Sequence, residues 1–234
     1  MSTTSFFNFS FLPKYASFFV QGVEYTLLLS VVAVLLAIVP AMMLALLRLS
    51  KFKIVRILSG LYIDIFRSTP LLVQLSLIYF GVFNFIKLPT FYIFGFVNIA
   101  MFVPGVIALA MNSAAYVAEI FRAGILAVDS GQNEAARSLG LSKTQAMIMV
   151  VLPQAIKNIL PALANELITM VKESSMCSTL GMMELMWAAK TVASTTYITI
   201  APYVLVALIY FCINYPASKA IEALERRMRR GDRR

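Results

Sequence analysis

Five long runs of apolar residues, separated by polar segments, dominate the chain. They cover residues 25–47, 70–86, 98–118, 146–170 and 200–217. A helix needs roughly 17–25 mostly apolar residues to cross the hydrocarbon core of a bilayer, and each run falls within that range. The pattern therefore predicts an all-α integral membrane protein with five transmembrane helices, in which residues 1–234 form a single transmembrane domain.

The composition supports a membrane protein and excludes several kinds of chemistry. Of 234 residues, 60% are hydrophobic and 13% are charged, whereas soluble domains average about 25% charged residues. The absence of histidine excludes a Ser-His-Asp triad and imidazole metal ligands, and the absence of a Gly-Lys dipeptide excludes a phosphate-binding P-loop. The sequence therefore predicts no catalytic residue, no metal site and no cofactor in this chain.

The distribution of lysine and arginine predicts the orientation in the membrane. Fifteen of the twenty lie in segments 48–67, 119–145 and 219–234, and four lie in segments 1–22, 87–97 and 171–199. Because basic residues concentrate on the cytoplasmic side, the first group of segments is predicted to be cytoplasmic. Five spans then place the N-terminus outside and the C-terminus inside.

The cytoplasmic segment between the third and fourth runs contains a second pattern. Asp129 and Ser130 are typical N-caps, and Gly140 can adopt the left-handed conformation that ends a helix. A short helix is therefore predicted at about 130–140. Residues 142–145 then read as a capping box that opens the next helix, the fourth span, which Pro153 and Pro161 are expected to break.

A set of motifs in this region and beside it resembles a known family. Glu134-Ala135-Ala136, followed by Gly140 and Leu152-Pro153, resembles the EAA loop of ATP-binding-cassette importer permeases, although the family has isoleucine where Val150 stands. Three further stretches resemble the polar-amino-acid branch of that family. They are Phe66-Arg67-Ser68-Thr69-Pro70-Leu71-Leu72-Val73-Gln74, Tyr116-Val117-Ala118-Glu119-Ile120-Phe121-Arg122-Ala123-Gly124-Ile125 and Lys172-Glu173-Ser174-Ser175.

The resemblance implies a type I importer permease fold, a multi-pass location in the bacterial inner membrane, and a coupling role for the short helix. By this resemblance, a partner ATPase binds ATP and magnesium and docks on Glu134, Ala135, Ala136 and Gly140. The other implied partners are a second permease subunit, in a homodimer or a heterodimer, and an extracytoplasmic amino-acid-binding protein. No enzymatic activity and no nucleic-acid binding are expected of this chain.

Polar residues inside two of the predicted spans are candidates for a substrate pathway. Polar and ionisable groups in a membrane face the bundle interior or water rather than lipid. The candidates lie in the third and fourth spans: Asn112, Ser113, Tyr116, Asn165, Glu166 and Thr169. Hydrogen bonding between helices or packing between subunits is the alternative explanation for the same residues.

Glu166 bears on the substrate because a desolvated carboxylate needs a cation or several donors. A cationic amino acid such as arginine, lysine or histidine is therefore the favoured substrate, with glutamine, glutamate or cystine as alternatives. The sequence leaves open which amino acid is carried and which subunit holds it. An ion-gradient-driven secondary transporter or channel, and a membrane signalling anchor, are the alternative classes of protein.

Overall fold

The computed structural model describes residues 8–229, and most of them are helical. The α-helices are α1 Leu12–Arg48, α2 Lys53–Ser68, α3 Leu71–Ser76, α4 Ile99–Leu126, α5 Ser130–Ser138, α6 Lys143–Ala146, α7 Leu152–Glu173, α8 Leu185–Thr196 and α9 Ala201–Arg229. Leu77–Val82 and Met147–Val151 are π-helical, and Ser174–Leu180 is a 3₁₀-helix. Two short antiparallel strands, β1 Tyr92–Ile93 and β2 Val97–Asn98, form the only sheet within these residues. The all-α prediction is confirmed.

The first predicted span is part of a longer helix. Helix α1 begins at Leu12, ahead of the predicted start at 25, and continues through Pro40. Its first turns bury Tyr15 and Phe19 in a cluster with α8 and α9. The segment before residue 25 is therefore anchored by packing within the protein, which the apolar run alone did not indicate.

The second predicted span, residues 70–86, is not a straight helix. Helix α2 and the Leu71–Val82 segment meet at a bend of 106°. Thr69 is extended because the ring of Pro70 disfavours the helical conformation of the residue before it. Four helices within residues 8–229 are long and apolar enough to span a membrane, and the count reaches five if this bent pair is one broken span.

The fourth span is irregular at one of its two prolines and regular at the other. The π-helical segment precedes Pro153, and Leu152 N donates to Met147 O, five residues back. Helix α7 then continues through Pro161 without a break, so the expected interruption there is wrong. A single missing donor is tolerated because the remaining hydrogen bonds and the packing of α7 hold the helix.

Helix α4 lies at the centre of the bundle. Its buried residues include Ala108, Leu109, Ala114, Ala115 and Val117, and α1, α2 and α7 pack around it. Small side chains let helix backbones approach closely in membranes. This arrangement places the polar residues of α4 against α7 and against the bend between α2 and α3.

The predicted orientation can be tested by thiol labelling in the loop that contains α5. Gln132 is exposed, and Gln132→Cys in a Cys212→Ser background would leave buried Cys177 as the other thiol. An impermeant maleimide is expected to label Gln132→Cys only after the cells are permeabilised. Labelling of intact cells would show that this loop is outside and would reverse the topology.

Candidate coupling and substrate sites

Local hydrogen bonds define both ends of helix α5. Asp129 Oδ1 accepts from Gly131 N at 2.7 Å, which confirms Asp129 as the N-cap. At the other end, Gly140 N donates to Arg137 O at 3.0 Å and Leu141 N donates to Ala136 O at 3.2 Å. This pair of bonds is a Schellman motif, and Gly140 has the left-handed φ of 89° that the motif requires.

The residues of the EAA motif do not all face the same way. Glu134 and Ala135 are exposed, whereas Ala136 is only 4% exposed and packs into the chain. Glu134 and Ala135 are therefore available to a partner, and Ala136 holds α5 in place. Leu139, at the C-cap, is 85% exposed. Leu139 was not among the predicted docking residues, although an apolar residue beside a helix-ending glycine was a usable signal of an exposed apolar side chain.

Helix α5 is joined to the start of the fourth span by the short connection 139–142. Ser142 Oγ accepts from Gln145 N, and Gln145 Oε1 accepts from Ser142 N at 2.8 Å, so the predicted capping box is confirmed. In addition, Gln154 Nε2 donates to Gln132 Oε1 at 3.3 Å. This second contact links α7, in the fourth span, to α5.

Two of the predicted pathway residues meet in the bundle interior. Ser113 Oγ donates to Glu166 Oε1 at 3.0 Å, which connects α4 to α7. Ser113 is 0% exposed and Glu166 is 8% exposed. The neutral hydroxyl of serine orients the carboxyl group but supplies no charge to balance a carboxylate.

Asn112 and Tyr116 contact other parts of the chain. Asn112 Nδ2 donates to Gln74 Oε1 at 2.9 Å, and Asn112 Oδ1 is buried without a hydrogen-bond partner within the described residues. Gln74 in turn donates to backbone oxygens at the bend after α2. The Arg67 guanidinium lies 5.5 Å from the centre of the Tyr116 ring. These residues therefore surround the bend rather than Glu166.

Asn165 lines a separate cleft of about 580 Å³ between α7 and α9. Thr169 Oγ1 donates to Asn165 O, one helical turn away. The lining comprises Lys157, Asn158, Pro161, Ala162, Asn165, Ser218, Ile221, Glu222 and Glu225. The α9 wall was not predicted, although the spacing of Ser218, Glu222 and Glu225 already indicated one polar helix face.

The sequence also did not predict that a group of ion pairs forms at the ends of α1 and α4. Glu119 accepts from Arg122 at 2.7 Å, and Arg48 Nε lies 3.5 Å from the same carboxylate. Gly60 leaves room for Arg48, because a β-carbon there would lie 2.6 Å from the Arg48 Nη1 atom. Arg48 Nη1 also lies 3.9 Å from Asp64 Oδ1 of α2, so three elements are joined on the side predicted to be cytoplasmic.

Comparison with known proteins agrees with this architecture. Residues 33–230 match the family described as binding-protein-dependent transport system inner membrane components. The chain is 41% identical over 218 residues to a glutamine transport system permease protein of Rickettsia typhi, covering 93% of this chain and 95% of that protein. It is 37% identical over 225 residues to the arginine transport system permease protein of Bacillus subtilis, covering 96% and 99%.

Solved structures give the same result. A chain of the crystal structure of an amino acid ABC transporter with histidines superposes with a TM-score of 0.85 at 45% identity, covering 94% of this chain and 98% of that one. A chain of the MetNI methionine ABC transporter, at 21% identity and a TM-score of 0.67, shows the shared fold. The resemblance to importer permeases is confirmed, and the chain belongs to the family of binding-protein-dependent transport system inner membrane components.

Proposed function

We propose that this chain is the permease subunit of an importer for polar amino acids, with a preference for cationic ones. A partner ATPase binds ATP and magnesium and docks on α5. A second permease subunit completes the pathway, and an extracytoplasmic binding protein delivers the amino acid. The transporter lies in the bacterial inner membrane with the C-terminus of this chain inside. Family membership and the names of the glutamine and arginine relatives support this proposal over an ion-gradient-driven transporter, a channel or a signalling anchor.

The proposed coupling follows from how α5 is attached. Exposed Glu134 and Ala135 form the surface that the ATPase contacts, and the rigid corner at Gly140 transmits its movement to the fourth span. That span carries Asn165 and Glu166. Closure of the ATPase subunits would thereby change the access of the pathway from one side of the membrane to the other.

The observation that carries the substrate preference is the burial of Glu166 beside Ser113. A buried carboxylate is strongly destabilising without a compensating cation. The hydroxyl of Ser113 supplies one neutral hydrogen bond at 3.0 Å. A guanidinium or ammonium group of the substrate would supply the charge, with Ser113 fixing the carboxyl orientation.

Glu166→Gln is expected to reduce arginine uptake selectively in the reconstituted complex. The variant keeps the size and the hydrogen-bonding oxygen but removes the charge. A hydrogen bond to a charged group contributes roughly 1.5–3 kcal/mol, so arginine uptake should fall about 10- to 100-fold at limiting substrate. Uptake of radiolabelled arginine and glutamine provides the measurement, and glutamine uptake should stay unchanged or rise.

Glu24→Gln is the matched control because it makes the same change at an exposed position of α1. Arginine uptake should be unaffected there. Unchanged arginine uptake in Glu166→Gln would refute the cationic preference in this subunit. An equal loss of arginine and glutamine uptake would show that Glu166 acts in packing instead.

A further inference from the structure

A cleft lined by both charged and apolar side chains lies outside the proposed coupling and substrate sites. It has a volume of about 540 Å³ and lies where α1, α2 and α4 meet, on the side predicted to be cytoplasmic. Its charged lining residues are Arg48, Arg56, Asp64 and Arg122. Its apolar lining residues are exposed, and they are Leu49, Ile57 and Leu61. One cleft therefore offers guanidinium groups and an apolar wall together.

The arginines of the cleft carry more charge than the neighbouring carboxylates balance. Glu119 pairs with Arg122 and Arg48, but its side chain is only 16% exposed and does not line the cleft. Asp64 lies 3.9 Å from Arg48, and its side chain is 66% exposed. No carboxylate in the described part of the chain forms an ion pair with Arg56. Three guanidinium groups thus meet two carboxylates, which leaves one net positive charge.

Two further cations lie close to the cleft in sequence. Lys51 is in the connection between α1 and α2, Lys53 is the first residue of α2, and both are exposed. With Arg48 and Arg56 they form a group of four cations directly after the first span. Such a group at the cytoplasmic end of a span, or on an amphipathic helix, is typical of sites that bind anionic lipid.

The exposed side of α2 is divided into two adjoining stripes. The apolar stripe is 50–73% exposed and consists of Ile54, Ile57, Leu58, Leu61 and Ile65. The polar stripe is also exposed and consists of Lys53, Arg56, Asp64 and Arg67. A helix with neighbouring apolar and basic faces lies at the boundary between lipid headgroups and acyl chains. Because the cleft contains residues of both stripes, it lies at that boundary.

We propose that this cleft binds an anionic phospholipid of the cytoplasmic leaflet, with its phosphate held by Arg48, Arg56 and Arg122 and its acyl chains along the apolar stripe of α2. Guanidinium groups suit this role because they can donate two parallel hydrogen bonds to a phosphate. A phosphodiester carries the single negative charge that balances the cleft. A soluble phosphate would leave the apolar wall without a contact. The inference goes beyond the proposed function, because lipid binding requires neither ATP nor an amino acid.

Gly60 leaves the space in which the Arg48 guanidinium lies beside the cleft. A β-carbon on Gly60 would lie 2.6 Å from Arg48 Nη1 and 3.4 Å from Arg48 Cζ. These atoms are at the free end of a flexible side chain, so Gly60→Ala should displace the guanidinium group without separating the helices. The substitution therefore changes the geometry of the cleft and keeps every charge.

Lipid binding can be measured on the full chain, purified in a neutral detergent with the subunits that accompany it. Native mass spectrometry during titration counts the bound lipids. Dioctanoyl phosphatidylglycerol should bind more tightly than dioctanoyl phosphatidylcholine, which has the same phosphodiester but no net charge. Equal binding of the two lipids would overturn the anionic assignment. Glycerol phosphate should bind much more weakly than either, and an affinity equal to that of phosphatidylglycerol would identify a soluble phosphate as the ligand instead.

Two charge variants distinguish this cleft from a diffuse basic surface. Arg56→Gln removes a charged hydrogen-bond donor from the cleft, so the affinity for phosphatidylglycerol should fall roughly 10- to 100-fold. Lys53→Gln removes the same charge from the same helix but outside the cleft, so the affinity should fall by no more than about fivefold. Equal losses in the two variants would show diffuse attraction and refute the site.

Two glycine variants test the geometry at constant charge. Gly60→Ala should weaken the binding of phosphatidylglycerol. Gly81→Ala, where no atom lies within 4 Å of the added carbon, should leave it unchanged. Wild-type affinity in Gly60→Ala would contradict the assigned role of Arg48.

Asp64→Asn keeps the proposal testable if the variants with reduced binding fail to fold. It removes the exposed carboxylate that lines the cleft, so the affinity for phosphatidylglycerol should rise severalfold. A gain of affinity cannot result from unfolding. An unchanged or lower affinity would place the lipid phosphate elsewhere and overturn the proposal.

Discussion

Replacing Gly140 with proline is expected to abolish transport while the chain still inserts into the membrane. Gly140 has a φ of 89°, and the proline ring fixes φ near −65°. Proline also removes the N–H that Gly140 donates to Arg137 O. The corner between α5 and the fourth span would therefore take another angle, and movement of α5 would no longer reach the bundle.

The measurement is substrate-stimulated ATPase activity and uptake by the assembled complex, with membrane insertion followed by immunoblot. Ser130→Pro is the matched control, because Ser130 is the first residue of α5, where proline is well tolerated. It should retain activity. Normal substrate-stimulated turnover in Gly140→Pro would show that α5 is not the coupling element.

Glu134→Lys gives a second variant for the same test, because it alters the proposed contact surface rather than the corner. Glu134 is exposed, so the substitution should leave α5 folded. Reversal of its charge should still prevent productive docking of the ATPase. If this variant retains normal substrate-stimulated turnover, Glu134 does not contribute to docking.

The elements that the sequence predicted best are those defined by local chemistry. Helix α5 spans Ser130–Ser138, close to the predicted 130–140, because Asp129 and Gly140 set its ends through contacts within a few residues. The capping box at Ser142 is equally local. Side-chain–backbone bonds of this kind depend little on the rest of the fold, so a pattern of residue types suffices to locate them.

The bend between α2 and α3 could not be predicted from the runs of apolar residues. Pro70 was predicted only to begin the second span, and nothing next to it in the sequence indicated a bend of this size. Two hydrogen bonds stabilise the 106° bend. The side-chain amide of Gln74 donates to Phe66 O, and Asn112 of α4 donates to the side-chain oxygen of Gln74. Partners distant in sequence thus determine this geometry, and Asn112 was instead expected in the substrate pathway.

For the polar residues inside the spans, the sequence likewise predicted the position of each residue along its helix but not the residues that it contacts. Helical spacing placed Asn165, Glu166 and Thr169 near one face of the fourth span. In the structure, Glu166 bonds Ser113 in α4, whereas Asn165 lines a cleft beside α9. Adjacent residues point about 100° apart on a helix, so one polar stripe can meet two different neighbours. Their role in substrate binding remains a prediction.

Gly22→Ala is expected to destabilise the protein because α1 and α8 approach each other at this glycine. A β-carbon on Gly22 would lie 2.9 Å from Leu185 Cα and 3.2 Å from Leu185 N. These are backbone atoms, so no side-chain rotation relieves the contact. Overpacking typically costs about 1–3 kcal/mol, which corresponds to a decrease of roughly 2–10 °C in the apparent melting temperature of a chain this size.

Gly81→Ala is the control, since no atom lies within 4 Å of a β-carbon at that exposed position. Both substitutions restrict the unfolded chain in the same way, so the difference between them isolates the contact with Leu185. Thermal unfolding in detergent gives the two melting temperatures. Gly22→Val should lower the melting temperature further than Gly22→Ala does. The contact also lies beside the hydrogen bond from Leu185 N to Thr26 Oγ1. Separation of the helices would therefore loosen the start of α8. Equal melting temperatures for Gly22→Ala and Gly81→Ala would show that α8 can shift away from α1 with little loss of stability.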